Sequence, residues 1–195
     1  VYREHPVDAE IVIGIPDSST PHAVGLAAAA KIPYAEAIIR NRYVGRTFIQ
    51  PDQLSRAQGV QTKFNPMRGV IEGKRLLVVD DSIVRSTTIT RVIKMLRRAG
   101  AKEVHVRVAS PPIKSTCHFG VDMATLGELI AANKTVDEIR EYIDADSLAY
   151  LSVEGLLKAV RAPANSYCTG CFTGNYPIPV QLEMNKLGFE PAPTG

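Results

Sequence analysis

Leu76-Leu77-Val78-Val79-Asp80-Asp81-Ser82-Ile83-Val84-Arg85-Ser86-Thr87-Thr88 is the stretch on which the fold turns. Four apolar residues in a row read as a buried strand, and the two acids end it. Beyond a polar turn, Ile89, Val92, Ile93 and Leu96 recur at helical spacing until Ala99-Gly100 stops the helix. The turn therefore lies at the carboxyl end of a strand and the amino end of a helix. In open α/β sheets that is where ligands bind. Backbone N–H groups and the hydroxyls of Ser82, Ser86, Thr87 and Thr88 suit a phosphate there, helped by the positive end of the helix dipole. Asp80 and Asp81 would repel an anion, so a different role falls to them. They could accept hydrogen bonds from sugar hydroxyls, or hold Mg²⁺ through its waters. One acid or one hydroxyl would serve as a helix cap. Two acids and four hydroxyls exceed what a cap requires, and no Gly-Lys-Ser/Thr follows to make a Walker loop.

Outward from this unit the same alternation repeats. Upstream, Ile11-Val12-Ile13-Gly14-Ile15 predicts a strand ending at Pro16-Asp17-Ser18-Ser19, Pro21 to Lys31 an Ala-rich helix, and Pro33 to Ile39 a second strand. Residues 40 to 68 show little periodicity and read as one long loop, which in a compact domain suggests a lid or binding loop. Downstream, Val104, Val106 and Val108 predict a strand, broken at Pro111-Pro112. Residues 128 to 132 and 136 to 143 predict short helices, residues 148 to 151 a last strand, and residues 154 to 160 a helix. The remainder is Pro-rich and irregular. Strands alternating with helices imply an α/β fold with a mostly parallel sheet covered on both faces.

Composition narrows the function classes. The chain has 195 residues, 45% of them hydrophobic and 22% charged, with a formal net charge of +3. That is enough chain for a proper core and excludes global disorder. The apolar stretch from Val24 to Ile32 is too short to span a bilayer and ends at Pro33, so no membrane partner is expected. The basic residues are scattered, which argues against nucleic acid. No apolar leader is present, and three cysteines (Cys117, Cys168 and Cys171) do not make a secreted disulfide framework, so a reducing cytoplasm is expected. Cys168-Thr169-Gly170-Cys171 has a spacing shared by zinc sites, redox pairs and iron–sulfur ligands. The four histidines (His5, His22, His105 and His118) show no metal spacing.

Asp-Asp-Ser-Ile-Val-Arg-x-Thr-Thr resembles the ribose-phosphate motif of the type I phosphoribosyltransferases. Arg40-Asn41-Arg42-Tyr43-Val44-Gly45-Arg46-Thr47-Phe48-Ile49, Ser110-Pro111-Pro112 and Cys168-x-x-Cys171-Phe172-Thr173-Gly174 extend the likeness, from about residue 8 to about residue 180. Together they resemble the amidophosphoribosyltransferases of purine synthesis. One position departs: Ser86 stands where the family usually has Gly. A positive φ there would strain a serine, while its hydroxyl could add a phosphate contact.

The resemblance implies a type I phosphoribosyltransferase fold over residues 1 to 160, with a flexible lid at 41 to 63, and an irregular Cys-containing segment at 161 to 195. It implies that 5-phosphoribosyl 1-pyrophosphate (PRPP) seats its 5′-phosphate on Ser82, Ile83, Val84, Arg85, Ser86, Thr87 and Thr88. Asp80 and Asp81 would take the ribose hydroxyls and, with Ser19, Mg²⁺. Asp17, Ser18 and Ser19 would form the pyrophosphate loop. Arg42, Tyr43, Arg46, Thr47 and Lys63 would close over the substrate, with Tyr43, Arg46 and Lys63 nearest the chemistry. The implied reaction is displacement of pyrophosphate at C1 by ammonia, giving 5-phosphoribosylamine. Ammonia would come from an N-terminal glutaminase in the full-length enzyme. Nothing here resembles that glutaminase and residue 1 is Val, so the sequence is expected to be part of a longer chain. Cys117, Cys168 and Cys171 match three of the four ligands of a 4Fe–4S cluster, the fourth lying upstream. Purine nucleotides (AMP, GMP) are implied as inhibitors, and a homo-oligomer, commonly a tetramer, as the assembly. Two other classes stay open: a PRPP-sensing regulator on the same fold, and a module built on the cysteines alone.

Overall fold

The computed structural model describes residues 1–41, 64–123, 125–161, 163 and 166–179. Its centre is a parallel sheet of four strands in the order β1 (Ile11–Gly14), β4 (Arg75–Asp80), β5 (Glu103–Val108), β6 (Ser147–Tyr150). β4 and β5 are buried from their second residue onward, as strands covered on both faces must be. The register puts Asp80 beside Val108 and Val108 beside Tyr150, so three strands end level at one carboxyl edge.

The two faces are covered differently. Against one lies α3 (Thr87–Arg98), whose Ile89, Val92, Ile93 and Leu96 are buried while its basic residues point outward. Each such aliphatic side chain contributes roughly 2 kcal/mol on burial. Gly100, at φ +95°, follows the helix in the left-handed region that ends it. α5 (Val136–Ile143) completes this face with Ile139 and Ile143, and it starts from a capping box between Thr135 and Glu138. The other face takes α1 (Thr20–Ala30) through Ala23, Leu26 and Ala27. Small side chains let α1 sit close: a Cβ placed on Gly14 would lie 3.0 Å from the Ala23 Cβ and 3.3 Å from the Ser19 carbonyl oxygen.

The expected strand over residues 33 to 39 is shorter and displaced. Tyr34 makes a single bridge to Val12, and regular pairing begins only at β2 (Ile38–Arg40). β2 pairs antiparallel with β3 (Phe64–Pro66), and a short α2 (Arg68–Ile71) follows, so the expected loop over 40 to 68 ends in ordered structure. Three residues ending in proline give too little alternation to be seen in the sequence. The helix expected at 128 to 132 divides into a 3₁₀ turn at Leu126–Glu128 and α4 (Ile130–Asn133). The last strand and helix fall at β6 and α6 (Val153–Ala159), and the irregular C-terminal part carries one short helix, α7 (Gly170–Thr173). No helix among the described residues is long and apolar enough to cross a membrane.

Candidate active site

The carboxyl edge of β1 and β4 brings two turns together. Ser19, fully buried before α1, donates its hydroxyl to Asp80 Oδ1 at 3.0 Å, and the Asp81 N–H approaches both Asp80 Oδ1 (3.0 Å) and Ser19 Oγ (3.1 Å). Asp80 is 8% exposed. Burial first, then the Asp81 charge, raises its carboxyl to about 7, against the pull of the two hydrogen bonds. Asp81 is less buried and accepts the Ser82 hydroxyl at 3.1 Å. Both acids thus stand at the strand end, and Ser19 is occupied as their support.

The turn itself is built around Ser86, whose φ of +56° lies in the left-handed region. Its hydroxyl donates to the Arg85 carbonyl oxygen at 2.6 Å, and the Thr87 N–H and hydroxyl reach that same oxygen at 2.7 and 3.3 Å. Among the described residues, the N–H groups of residues 82 to 86 donate no backbone hydrogen bond. α3 begins directly after them with no side-chain cap and no acid in its first turn. Unsatisfied donors and a positive helix end in one place suit an anion. Ile83 is buried and Val84 packs against Ile113 and Leu129, so these two offer the main chain only. Thr87 and Thr88 are exposed at the rim.

Asp17 and Ser18 are exposed on the first turn, after a cis Pro16–Asp17 peptide, and Asp17 pairs with Arg40 at the end of β2. Arg85 pairs with Glu128 at 3.3 Å, and the Ile130 N–H bonds the Val84 carbonyl, so the 3₁₀ turn and α4 buttress the site from outside. The sequence alone gives Arg40 and Glu128 no place in the site; each carries a charge whose partner lies far along the chain, which a motif cannot show. Arg42, Tyr43, Arg46, Thr47 and Lys63 lie outside the described residues.

Cys171, like Val84 of the turn, packs against Ile113 and Leu129. Lys114 and Ser115 N–H groups bond the Cys171 carbonyl, bringing the Cys117 segment onto the Cys168–Cys171 segment. Burial raises the Cys171 thiol, as do the neighbouring Cys117 and Cys168. The Phe119 and Gly170 N–H groups point at the Cys117 and Cys168 sulfurs, each at 3.4 Å. Tyr176 clasps both segments: its hydroxyl donates to the Thr116 carbonyl oxygen at 2.6 Å, and its ring fills the space where a Gly170 Cβ would stand. No group of three or more His, Cys, Asp or Glu among the described residues is arranged to hold a metal ion.

Residues 2–112 match the family model of the phosphoribosyl transferase domain. The amidophosphoribosyltransferase of Synechococcus elongatus is 50% identical over 190 residues, covering 96% of this chain and 38% of its own length. That of Bacillus subtilis is 53% identical over 182 residues, covering 91% of this chain and 38% of its own. A solved glutamine phosphoribosylpyrophosphate amidotransferase from B. subtilis, complexed with ADP and GMP, superposes with a TM-score of 0.82 at 53% identity, over 93% of this chain and 41% of that one. The chain therefore spans about two fifths of the length of these relatives.

Proposed function

The chain belongs to the phosphoribosyl transferase domain family, and on that premise we propose that it is the phosphoribosyl-transfer part of an amidophosphoribosyltransferase. It forms 5-phosphoribosylamine from PRPP and ammonia, the entry step of purine synthesis. The observation that carries this reading is the turn after β4, whose N–H groups at residues 82 to 86 meet no backbone acceptor among the described residues while an acid pair stands beside them.

In this reading the 5′-phosphate lies on the N–H groups of residues 82 to 86 and the first turn of α3, and the ribose hydroxyls donate to Asp80 and Asp81. Holding the sugar by both ends aligns C1 with the incoming ammonia. As the bond to pyrophosphate lengthens, C1 becomes cationic and negative charge grows on the leaving group. The chain needs no nucleophile of its own; it needs donors aimed at the pyrophosphate and a site closed to water. Asp17, Ser18 and the segment holding Arg42, Tyr43, Arg46, Thr47 and Lys63 supply that closure. The oxygen-only donor set of Asp80 and Asp81 fits Mg²⁺ better than a softer metal, with the substrate phosphates completing its shell. Asp80 and Asp81 would hold the ion, which would supply charge neutralisation for the departing pyrophosphate. Ser19, whose hydroxyl already serves Asp80, supports the acids rather than adding a ligand.

Residues 1 to 160 form the transferase unit and residues 161 to 195 its cysteine-bearing extension. Cys117, Cys168 and Cys171, with N–H groups directed at two of the sulfurs, are the residues that would hold three corners of a 4Fe–4S cluster; a fourth thiolate has to come from outside this sequence. In the longer protein, glutamine hydrolysis supplies the ammonia. The enzyme works in the cytoplasm as a homo-oligomer, and purine nucleotides compete for the phosphate turn, in keeping with the ADP and GMP carried by the B. subtilis structure.

Magnesium-dependent release of pyrophosphate from PRPP, with ammonia supplied at raised pH, tests the reading. Release supports the transferase. Tight binding without release would make the chain a sensor, and no binding would remove the phosphoribosyl reading altogether.

A further inference from the structure

Among the described residues, two hydroxyls are shut away from solvent without a hydrogen-bond partner: Tyr150 Oη at the end of β6 and Ser110 Oγ just past β5. Tyr150 is 6% exposed and belongs to the apolar layer under α3 and α5. A buried hydroxyl with no partner is costly, and phenylalanine would fill the same space without that cost. The register gives the reason to look at Asp80. Asp80, Val108 and Tyr150 stand side by side across three strands, so their side chains emerge on one face of the sheet. The Ala109 N–H bonds the Asp80 carbonyl at 2.8 Å, which brings Ser110 to the same edge. Asp80 commits Oδ1 to Ser19 and the Asp81 N–H, and among the described residues Oδ2 carries no hydrogen bond. Burial first, then the Asp80 charge, holds the Tyr150 phenol above its ordinary range, so it stays protonated and able to donate.

We infer that Tyr150 and Ser110 are positioning residues: their hydroxyls hold the second oxygen of Asp80 through an ordered water, while Asp80 grips the ribose hydroxyls of a phosphoribosyl substrate. The inference rests on the function proposed above and adds two residues to it. Neither hydroxyl touches the sugar. Each acts through Asp80, stopping the carboxylate from turning away from the ligand. One bond to a charged acceptor, when lost, weakens binding by about tenfold.

The test is calorimetric titration of the whole chain with PRPP and Mg²⁺, for the unaltered protein and for Tyr150→Phe, Ser110→Ala, Asp80→Asn and Tyr150→Phe/Asp80→Asn, with thermal unfolding of each. Tyr150→Phe is expected to bind PRPP about tenfold more weakly while melting no lower than the unaltered protein, and Ser110→Ala to do the same to a smaller degree. In the Asp80→Asn background the Tyr150→Phe change is expected to cost nothing further. Lowered melting with unchanged binding would reduce Tyr150 to a packing residue and overturn the inference. An equal loss in both backgrounds would show that Tyr150 does not work through Asp80, with the same result. Should the unaltered protein fail to bind PRPP, the proposed function falls and takes this inference with it; binding by the unaltered protein and Tyr150→Phe alike sinks the inference alone.

Discussion

The two ends of β4 follow opposite rules. At the amino end charges pair: Arg75 meets Asp8 at 2.6 Å and Glu10 at 3.7 Å, Lys74 meets Glu10 at 3.3 Å, and the Arg75 N–H bonds Glu10 as well. Gly73 and Lys102 close the backbone there through Gly100 and Lys74. At the carboxyl end two like charges adjoin, a serine occupies a left-handed conformation, and a row of N–H groups donates to no backbone acceptor among the described residues. Six residues of one buried strand separate a satisfied end from an unsatisfied one. The difference teaches where to seek function: strain and unmet donors persist where a ligand offsets them.

Asp80→Asn with Asp81→Asn is expected to lower pyrophosphate release by about a thousandfold or more with circular dichroism unchanged; near-normal release would remove the acids from the chemistry.

Next comes the left-handed position. Ser86→Val puts a β-branched side chain at φ +56° and is expected to cost about 2 kcal/mol in urea unfolding and to abolish PRPP binding. Ser86→Gly is expected to add about 0.5 kcal/mol and keep binding within about twofold, the lost hydroxyl bond to Arg85 offsetting part of the relief.

A titration sharpens the contrast further. Asp80 is raised to about 7 in the folded protein, so between about pH 4 and 7 the folded state keeps a proton that the unfolded chain releases. Its contribution is full below about pH 4 and is lost as pH rises to about 7, with a slope of at most about 1.4 kcal/mol per pH unit. Glu10, held low by the Arg75 N–H and Lys74, works in the other direction and loses its contribution as pH falls below the ordinary carboxylate range. Denaturant unfolding across that range, without added metal, should show Asp80→Asn flattening the neutral limb and Glu10→Gln the acid limb. The smallest effect belongs to Asp8→Asn, an exposed pair expected to move melting by no more than a few degrees and PRPP affinity not at all.

Strand, turn and helix from Leu76 to Leu96 are legible in the sequence because burial on both faces, hydroxyl clustering and helical spacing each leave a local trace. The acid pair and the turn hydroxyls are legible for the same reason. β3 is not, since its pairing with β2 is a tertiary fact carried by three residues. Tyr150 reads in the sequence only as part of a strand, and Ser110 only as part of a Ser-Pro-Pro stretch of the family likeness, with no role attached to either. What connects them to Asp80 is the register of three strands, and nothing in the order of residues states a register. Ser86 lies between these cases: its departure from glycine is visible, while the choice of its hydroxyl for the Arg85 carbonyl is not.

Gly14 carries no chemistry, yet it governs some. The missing methyl group lets α1 rest against β1, and the first residue before that helix is the serine that steadies Asp80. A side chain at position 14 would press on the Ala23 methyl and the Ser19 main chain, so that a shift of a few tenths of an ångström would reach the acid through the serine that holds it.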